Sequence, residues 1–136
     1  MTFDSNDPLR VEYLNGRLWK LLEDFSYFDE DFPPEGAFID VPAGFVTDFA
    51  SVPRIFWITL PPTGKYGKAA VIHDYLYQYG KVGQVRITRA YADGIFRKAM
   101  EELGVGKIRR SLMWAAVRIG AGGAWNRSRE NGPRQA

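Results

Sequence analysis

The 136 residues are 46% hydrophobic and 15% aromatic, with a formal net charge of +2, a balance that supports one ordered domain with a sizeable core. The absence of cysteine excludes disulfides and thiolate zinc sites, and a single histidine, His73, excludes a histidine-rich metal cage. No run approaches the roughly 18 apolar residues of a membrane span, and the acidic start lacks the basic and apolar regions of a secretory signal.

Synthesis and folding in a cytoplasm are therefore expected. The small net charge hides an asymmetry: residues 1–50 carry three basic and eleven acidic side chains, net −8, whereas residues 51–136 carry fifteen and five, net +10. Either the halves pair internally, the more economical arrangement in one small domain, or copies of the chain pack head to tail in an assembly.

In chain order, Leu9 to Leu14 and Arg17 to Leu22 flank Asn15-Gly16, a strong hairpin signal because this dipeptide accepts the positive φ values of a tight turn. A two-residue loop would set Tyr13 opposite Leu18, Val11 opposite Lys20 and Leu9 opposite Leu22. Phe25 to Phe28 extends or follows this sheet before the acidic, proline-bearing loop Asp29 to Gly36. Ala37 to Val41 and Phe45 to Phe49 read as a second hairpin around Pro42-Ala43-Gly44. Ser51 is an N-cap for a short helical turn through Arg54 to Ile58, with Pro53 near its start.

Three helices follow. The first runs from Lys65 to Tyr79 and stops at Gly80, with Ala69, Ile72, His73 and Leu76 on one face. The second is capped by Thr88, carries the stripe Ala92, Ile95, Phe96, Ala99, Met100 and Leu103, and ends at Gly104. The third, Lys107 to Ile119, should turn Ile108, Leu112, Ala115 and Ile119 inward. The glycine run at 120–123 then leads to a polar, basic tail. The expected architecture is α+β: an antiparallel amino-terminal sheet of two hairpins packed by three carboxy-terminal helices, with residues 1–125 as one domain and 126–136 as the tail.

Chemistry that needs imidazole must use His73. A His73-Asp74 dyad alone is a poor metal site, since adjacent helical residues diverge by about 100° and an HD-type phosphohydrolase needs a further upstream histidine. A nucleophile reading would set Ser51 against His73 and Asp48 or Asp93, but there is no Gly-x-Ser-x-Gly elbow. Asp48 with His73 as an acid–base pair, or Asp48, His73 and Asp93 around a divalent ion held mainly by carboxylates, is the better chemical arrangement. Such an ion would be magnesium or manganese before zinc.

The competing architectural reading has His73 donating to Asp48 or a backbone carbonyl, while Asp93 pairs with Arg89, Arg54 or Arg97, so that the network specifies how sheet and helices dock. Lys107, Arg109, Arg110 and Arg118, with Arg127, Arg129 and Arg134 of the tail, are basic enough to touch nucleic acid. No recognised binding motif accompanies them, and docking of Arg127, Arg129 and Arg134 onto an acidic partner explains the same residues.

The segments Val41 to Arg54, Ala70 to Tyr77 and Arg89 to Phe96 together resemble a family of small phage and prophage proteins catalogued as domain of unknown function 1353, over about residues 8 to 125. The resemblance implies a phage context and groups Thr47, Asp48, Ser51, His73, Asp74, Arg89 and Asp93 as one cluster; it implies no activity. With no resident cofactor expected, the sequence points first to a noncatalytic structural or interaction protein of the virion or its tail. Its partners would be other virion proteins or copies of itself. The alternative is a small phage hydrolase using Asp48, His73 and Asp93, acting for instance on cell-wall peptide or glycan.

Overall fold

A computed structural model describes residues 3–5, 7–16, 18–48 and 67–134. The expected α+β architecture is present, with four helices in place of three. The strands are β1 (Val11–Asn15), β2 (Leu18–Leu21), β3 (Phe25–Asp29), β4 (Ala37–Val41) and β5 (Val46–Thr47). Helix α1 (Gly67–Tyr79), the small hairpin β6 (Lys81–Val82) and β7 (Val85–Arg86), and helices α2 (Arg89–Glu102), α3 (Lys107–Gly120) and α4 (Gly122–Asn131) complete the described elements.

The first hairpin forms in a different register from the expected one. Val11 pairs with Leu21, Glu12 with Lys20 and Tyr13 with Trp19, and an irregularity after Tyr13 sets Asn15 opposite Leu18. Asn15 thus belongs to the strand, and the Tyr13 and Trp19 rings meet edge to face at 5.1 Å, the kind of cross-strand contact that outweighs an ideal turn dipeptide.

The second hairpin is also corrected. β4 pairs with β3, not with the segment after Gly44, setting Phe25 opposite Val41 and Tyr27 opposite Ile39. These four side chains face the core while Ser26, Phe28, Phe38 and Asp40 alternate outward. The turn at Gly44, whose φ of 90° suits glycine, carries the chain back across β2. Gly44 and Leu21 N–H groups bond Leu21 and Phe45 carbonyls respectively, and β5 pairs with Trp19 and Lys20 of β2. The described strands therefore form three small antiparallel sheets, ordered β1-β2-β5, β3-β4 and β6-β7. Ser51 and the expected helical turn from Arg54 to Ile58 lie outside the described residues.

Helix α1 is the hub. It packs against α2 and α4 on one side and against β4 and β5 on the other, so Ala69, Ala70, Val71, Ile72 and Leu76 are all fully buried. A helix apolar on nearly every side belongs in the middle of a fold.

Helix α2 keeps the boundaries that its sequence signals set. Thr88 accepts from the Tyr91 N–H, and at the other end the Gly104 and Val105 N–H groups reach back to the Glu101 and Met100 carbonyls, the pattern of a left-handed glycine stop.

Helix α3 has the expected length but the opposite orientation. Met113 and Val117 are the buried residues, whereas Ile108, Leu112 and Ile119 are 78%, 54% and 87% exposed. The tail is corrected too: Gly122–Asn131 is helical and lies back on α1. Arg129 donates to the Tyr77 and Gln78 carbonyls at 2.6 and 2.9 Å, placing a cation at the negative end of α1. Its guanidinium covers the Trp125 ring at 4.1 Å, and Trp125 meets Tyr77 edge to face. No helix among the described residues is long and apolar enough to cross a membrane.

Candidate functional site

The candidate residues gather on both sides of α1, in two groups. On the α2 side, His73 Nε2 lies 2.7 Å from Asp93 Oδ1, the Tyr77 hydroxyl donates to the same oxygen at 2.7 Å, and Arg118 Nη1 donates to Oδ2 at 2.7 Å. One carboxylate thus takes three donors from α1 and α3. Arg89 joins from outside, its Nε reaching the Tyr77 hydroxyl at 3.1 Å and its Nη2 the Val117 and Arg118 carbonyls at 2.8 and 2.6 Å. The His73 ring is sandwiched by Tyr77 and Phe96, with centroids 4.2 and 4.8 Å away.

On the sheet side, Asp74 Oδ2 accepts from the Thr47 hydroxyl at 2.8 Å, the Asp48 N–H at 3.1 Å and Arg134 Nη1 at 3.2 Å. Arg134 Nη2 reaches Asp48 Oδ2 at 3.2 Å. The local reason for the division is helical: consecutive residues point about 100° apart, so His73 meets α2 while Asp74 meets β5.

Burial would push the Asp93 carboxyl up, but hydrogen bonds from His73, Tyr77 and Arg118 outweigh it and hold it below the usual carboxylate range. For Asp74 burial wins: together with the charge of Asp48 it raises the carboxyl, against the opposing pull of Arg134, Thr47 and the Asp48 N–H. Tyr77 is pushed up by burial and by its bond to Asp93, so it stays a donor.

These shifts fix the sign of a pH effect. Stabilisation from ionised Asp93 is complete above the unfolded carboxyl value of about 3.9 and is lost as pH falls through its depressed folded pKa. Asp74, raised, acts oppositely and costs stability as pH rises through its folded value. Asp93→Asn should therefore fall furthest below the native chain at neutral pH, with the gap closing below about pH 3.9. Denaturant melts from pH 2 to 7 check this, and a gap independent of pH would contradict the assignment.

One atom of this network is left over. His73 is 1% exposed, and its Nδ1 is buried without a hydrogen-bond partner. In the tautomer that donates Nε2–H to Asp93, Nδ1 is the nitrogen that carries the lone pair. His73 and Asp74 both line a cavity of about 250 Å³, walled on the far side by Arg127, Ser128, Asn131 and the turn Gly132 to Arg134. Among the described residues, no three His, Cys, Asp or Glu side chains gather as a metal set.

Thr47, Asp48, His73, Asp74, Arg89 and Asp93 are thus brought around one helix, with exchanged partners. His73 bonds Asp93 and not the Thr47–Asp48 segment, which bonds Asp74 instead. Asp93 pairs with Arg118, while Arg89 holds Tyr77, Arg97 reaches Ser111 at 3.5 Å, and Arg54 and Ser51 lie outside the described residues. Arg129 and Arg134, expected to meet a partner, are engaged with their own chain. Tyr77, Arg118 and Gln78 were missed as site residues. Tyr77 and Gln78 carried a sequence signal, each being one helical turn after His73 and Asp74 respectively on the same side.

A segment of 60 residues is 45% identical to "Uncharacterized protein y4jT" of Sinorhizobium fredii (strain NBRC 101917 / NGR234), covering 43% of this chain and 17% of that protein. The chain thus matches only a small part of a longer relative. No solved structure matches. Residues 19–117, which carry Thr47, Asp48, His73, Asp74 and Asp93, match the family described as "Protein of unknown function (DUF1353)", and the chain belongs to that family.

Proposed function

We propose that this chain is a small hydrolase in which His73 activates water against an acyl carbon, an ester or an amide. The observation that carries the reading is the buried, unpartnered Nδ1 of a residue that lines the cavity, because an architectural brace would have no use for an unsatisfied nitrogen and would suffer its desolvation. Asp93 holds the ring by Nε2. Nδ1 takes a proton from water as the oxygen attacks the carbonyl carbon; the imidazolium then returns that proton to the leaving oxygen or nitrogen as its bond to carbon breaks. Arg127, Ser128 and Asn131 supply donors on the opposite wall. In the phage setting that the resemblance implies, cell-wall peptide is a fitting substrate. The test is hydrolysis of a panel of p-nitrophenyl esters by the native chain and by His73→Asn; equal rates would overturn the proposal.

A second reading, an interaction protein of a virion or its tail, is favoured by α3. Its exposed Ile108, Leu112 and Ile119 lie at i, i+4 and i+11 on one face, beside Lys107 and Arg109. Across the two halves Lys98 pairs with Asp29 and Asp31, and Arg134 with Asp48, whereas Lys107 and Arg109 of α3 make no ion pair among the described residues. Asp24, Glu30 and Glu35 are unpaired in the same sense, and the acidic face of a second copy fits the basic, apolar helix. A head-to-tail contact of this kind builds rings or tubes. Sedimentation should show self-association that weakens as salt rises and is lost in Leu112→Glu; a monomer at every concentration and salt would contradict it.

A further inference from the structure

The cavity beside His73 already holds a ligand, supplied by the chain itself. Arg134 Nη1 lies 3.2 Å from both Asp74 Oδ2 and the Val46 carbonyl, Nη2 lies 3.2 Å from Asp48 Oδ2, and the Arg134 backbone N–H donates to Gln78 Oε1 at 2.6 Å. A planar guanidinium is thus read along its fork by two carboxylates and a carbonyl, while an amide side chain reads the adjoining peptide group. This is how a protein recognises an arginyl residue in a peptide, side chain and backbone together.

Two further observations separate the cradle from its present occupant. Thr47, Asp48, Asp74 and Gln78 lie inside the span 19–117 that matches the family, whereas α4 and Arg134 lie beyond it. The ion pairs of Arg134 are also partly open to water, its side chain being 29% exposed, and such pairs are weak enough to exchange. Without a cation, Asp74 would be a buried carboxyl beside a second one, an arrangement that already raises it.

We propose that Asp48, Asp74, the Val46 carbonyl and Gln78 form a recognition subsite for the guanidinium of an arginyl substrate, filled in cis by Arg134 until a competing arginyl group displaces it. The inference deepens the hydrolytic reading, on which the role of His73 rests, by naming the substrate class: an acyl compound carrying a guanidinium. His73 and Asp74 are neighbours on α1 and line one cavity, so a substrate anchored on the cradle presents its backbone to the imidazole. The segment Gly132 to Arg134 is then a substrate mimic that keeps the site closed.

The test uses the full chain with Arg134→Ala, and with Arg134→Lys as a second variant that keeps the charge but not the fork. Isothermal calorimetry with acetyl-Gly-Pro-Arg-amide should show binding to Arg134→Ala at least about tenfold tighter than to the native chain. The same peptide with glutamine for arginine should bind Arg134→Ala more weakly by a similar factor, and adding Asp48→Asn should remove the preference for arginine. Arg134→Lys should lie between Arg134→Ala and the native chain. Equal affinity for the arginine and glutamine peptides, equal binding by native and variant chains, or no binding to any of them would overturn the proposal. Displacement of the arginine peptide by millimolar calcium chloride, with calcium binding in its own right, would overturn it in favour of a metal site. Binding to the cradle requires no turnover, so a variant that binds the peptide yet hydrolyses no ester would sink the hydrolytic reading and leave the subsite standing.

Discussion

His73→Asn should lower ester hydrolysis by about 10²–10⁴, the usual contribution of a positioned general base. Asp93→Asn should lose a comparable factor while leaving the imidazole in place. An amide at position 93 can offer an N–H to Nε2 where the carboxylate only accepted, and the ring then carries its proton on Nδ1, the nitrogen that must receive one from water. The two variants differ in a second readout. Asp93→Asn disturbs the bonds to Tyr77 and Arg118 as well, so its melting temperature should fall further than that of His73→Asn. Initial rates with p-nitrophenyl esters, measured beside thermal melts, separate chemistry from support. If Asp93→Asn kept full activity, Asp93 would not set the tautomer of His73 and the dyad would have to be abandoned.

Phe96→Ala should cost about 3–5 kcal/mol, the range for removing a fully buried aromatic ring. Phe96 is completely buried, lies on α2 among the apolar residues facing α1, and stacks on the imidazole. The void left behind borders His73, so the ring would gain freedom to tilt away from Asp93 as the core loosens. Thermal unfolding followed by circular dichroism should show a drop of about 10 °C or more. A loss below about 1 kcal/mol would mean that neighbouring side chains collapse into the space, and that the ring is not what fixes the imidazole.

How much of this was legible in the sequence depends on the range of the interaction concerned. The expected start of α1 at Lys65 lies outside the described residues, while its end and the bounds of α2 and α3 follow from local signals: Gly80 and Gly104 as stops, Thr88 as a cap, and stripes of period 3.6. The strand pairings do not, because β5 has two residues and its partner is chosen by the turn at Gly44 and by contacts with Leu21, far away in sequence. For α3 the period was right and its sense wrong. Ile108, Leu112 and Ile119 form as good a stripe as Met113 and Val117, and only the docking of α2 decides which is buried. Helix α4 begins with two glycines and is polar, a poor helix former in isolation; it is held by Trp125 and Arg129 against the end of α1. Thr47, Asp48, His73, Asp74, Arg89 and Asp93, expected as one cluster with Ser51, divide into two sets on either side of α1. Which nitrogen meets which carboxylate was not legible, since that depends on the rotation of one helix about its axis.

That rotation has a consequence for how the site can change. His73 and Asp74 are successive residues of one largely buried helix, so the angle between the imidazole and the acidic cradle is set by helical geometry at about 100° and not by either neighbour. No substitution on α2 or β5 can retune one without leaving the other where it is. A single-residue insertion earlier in α1 would turn both away from their partners together. The far wall, the segment from Arg127 to Arg134, stands on a separate part of the chain, so changes there reshape the cavity without altering that angle.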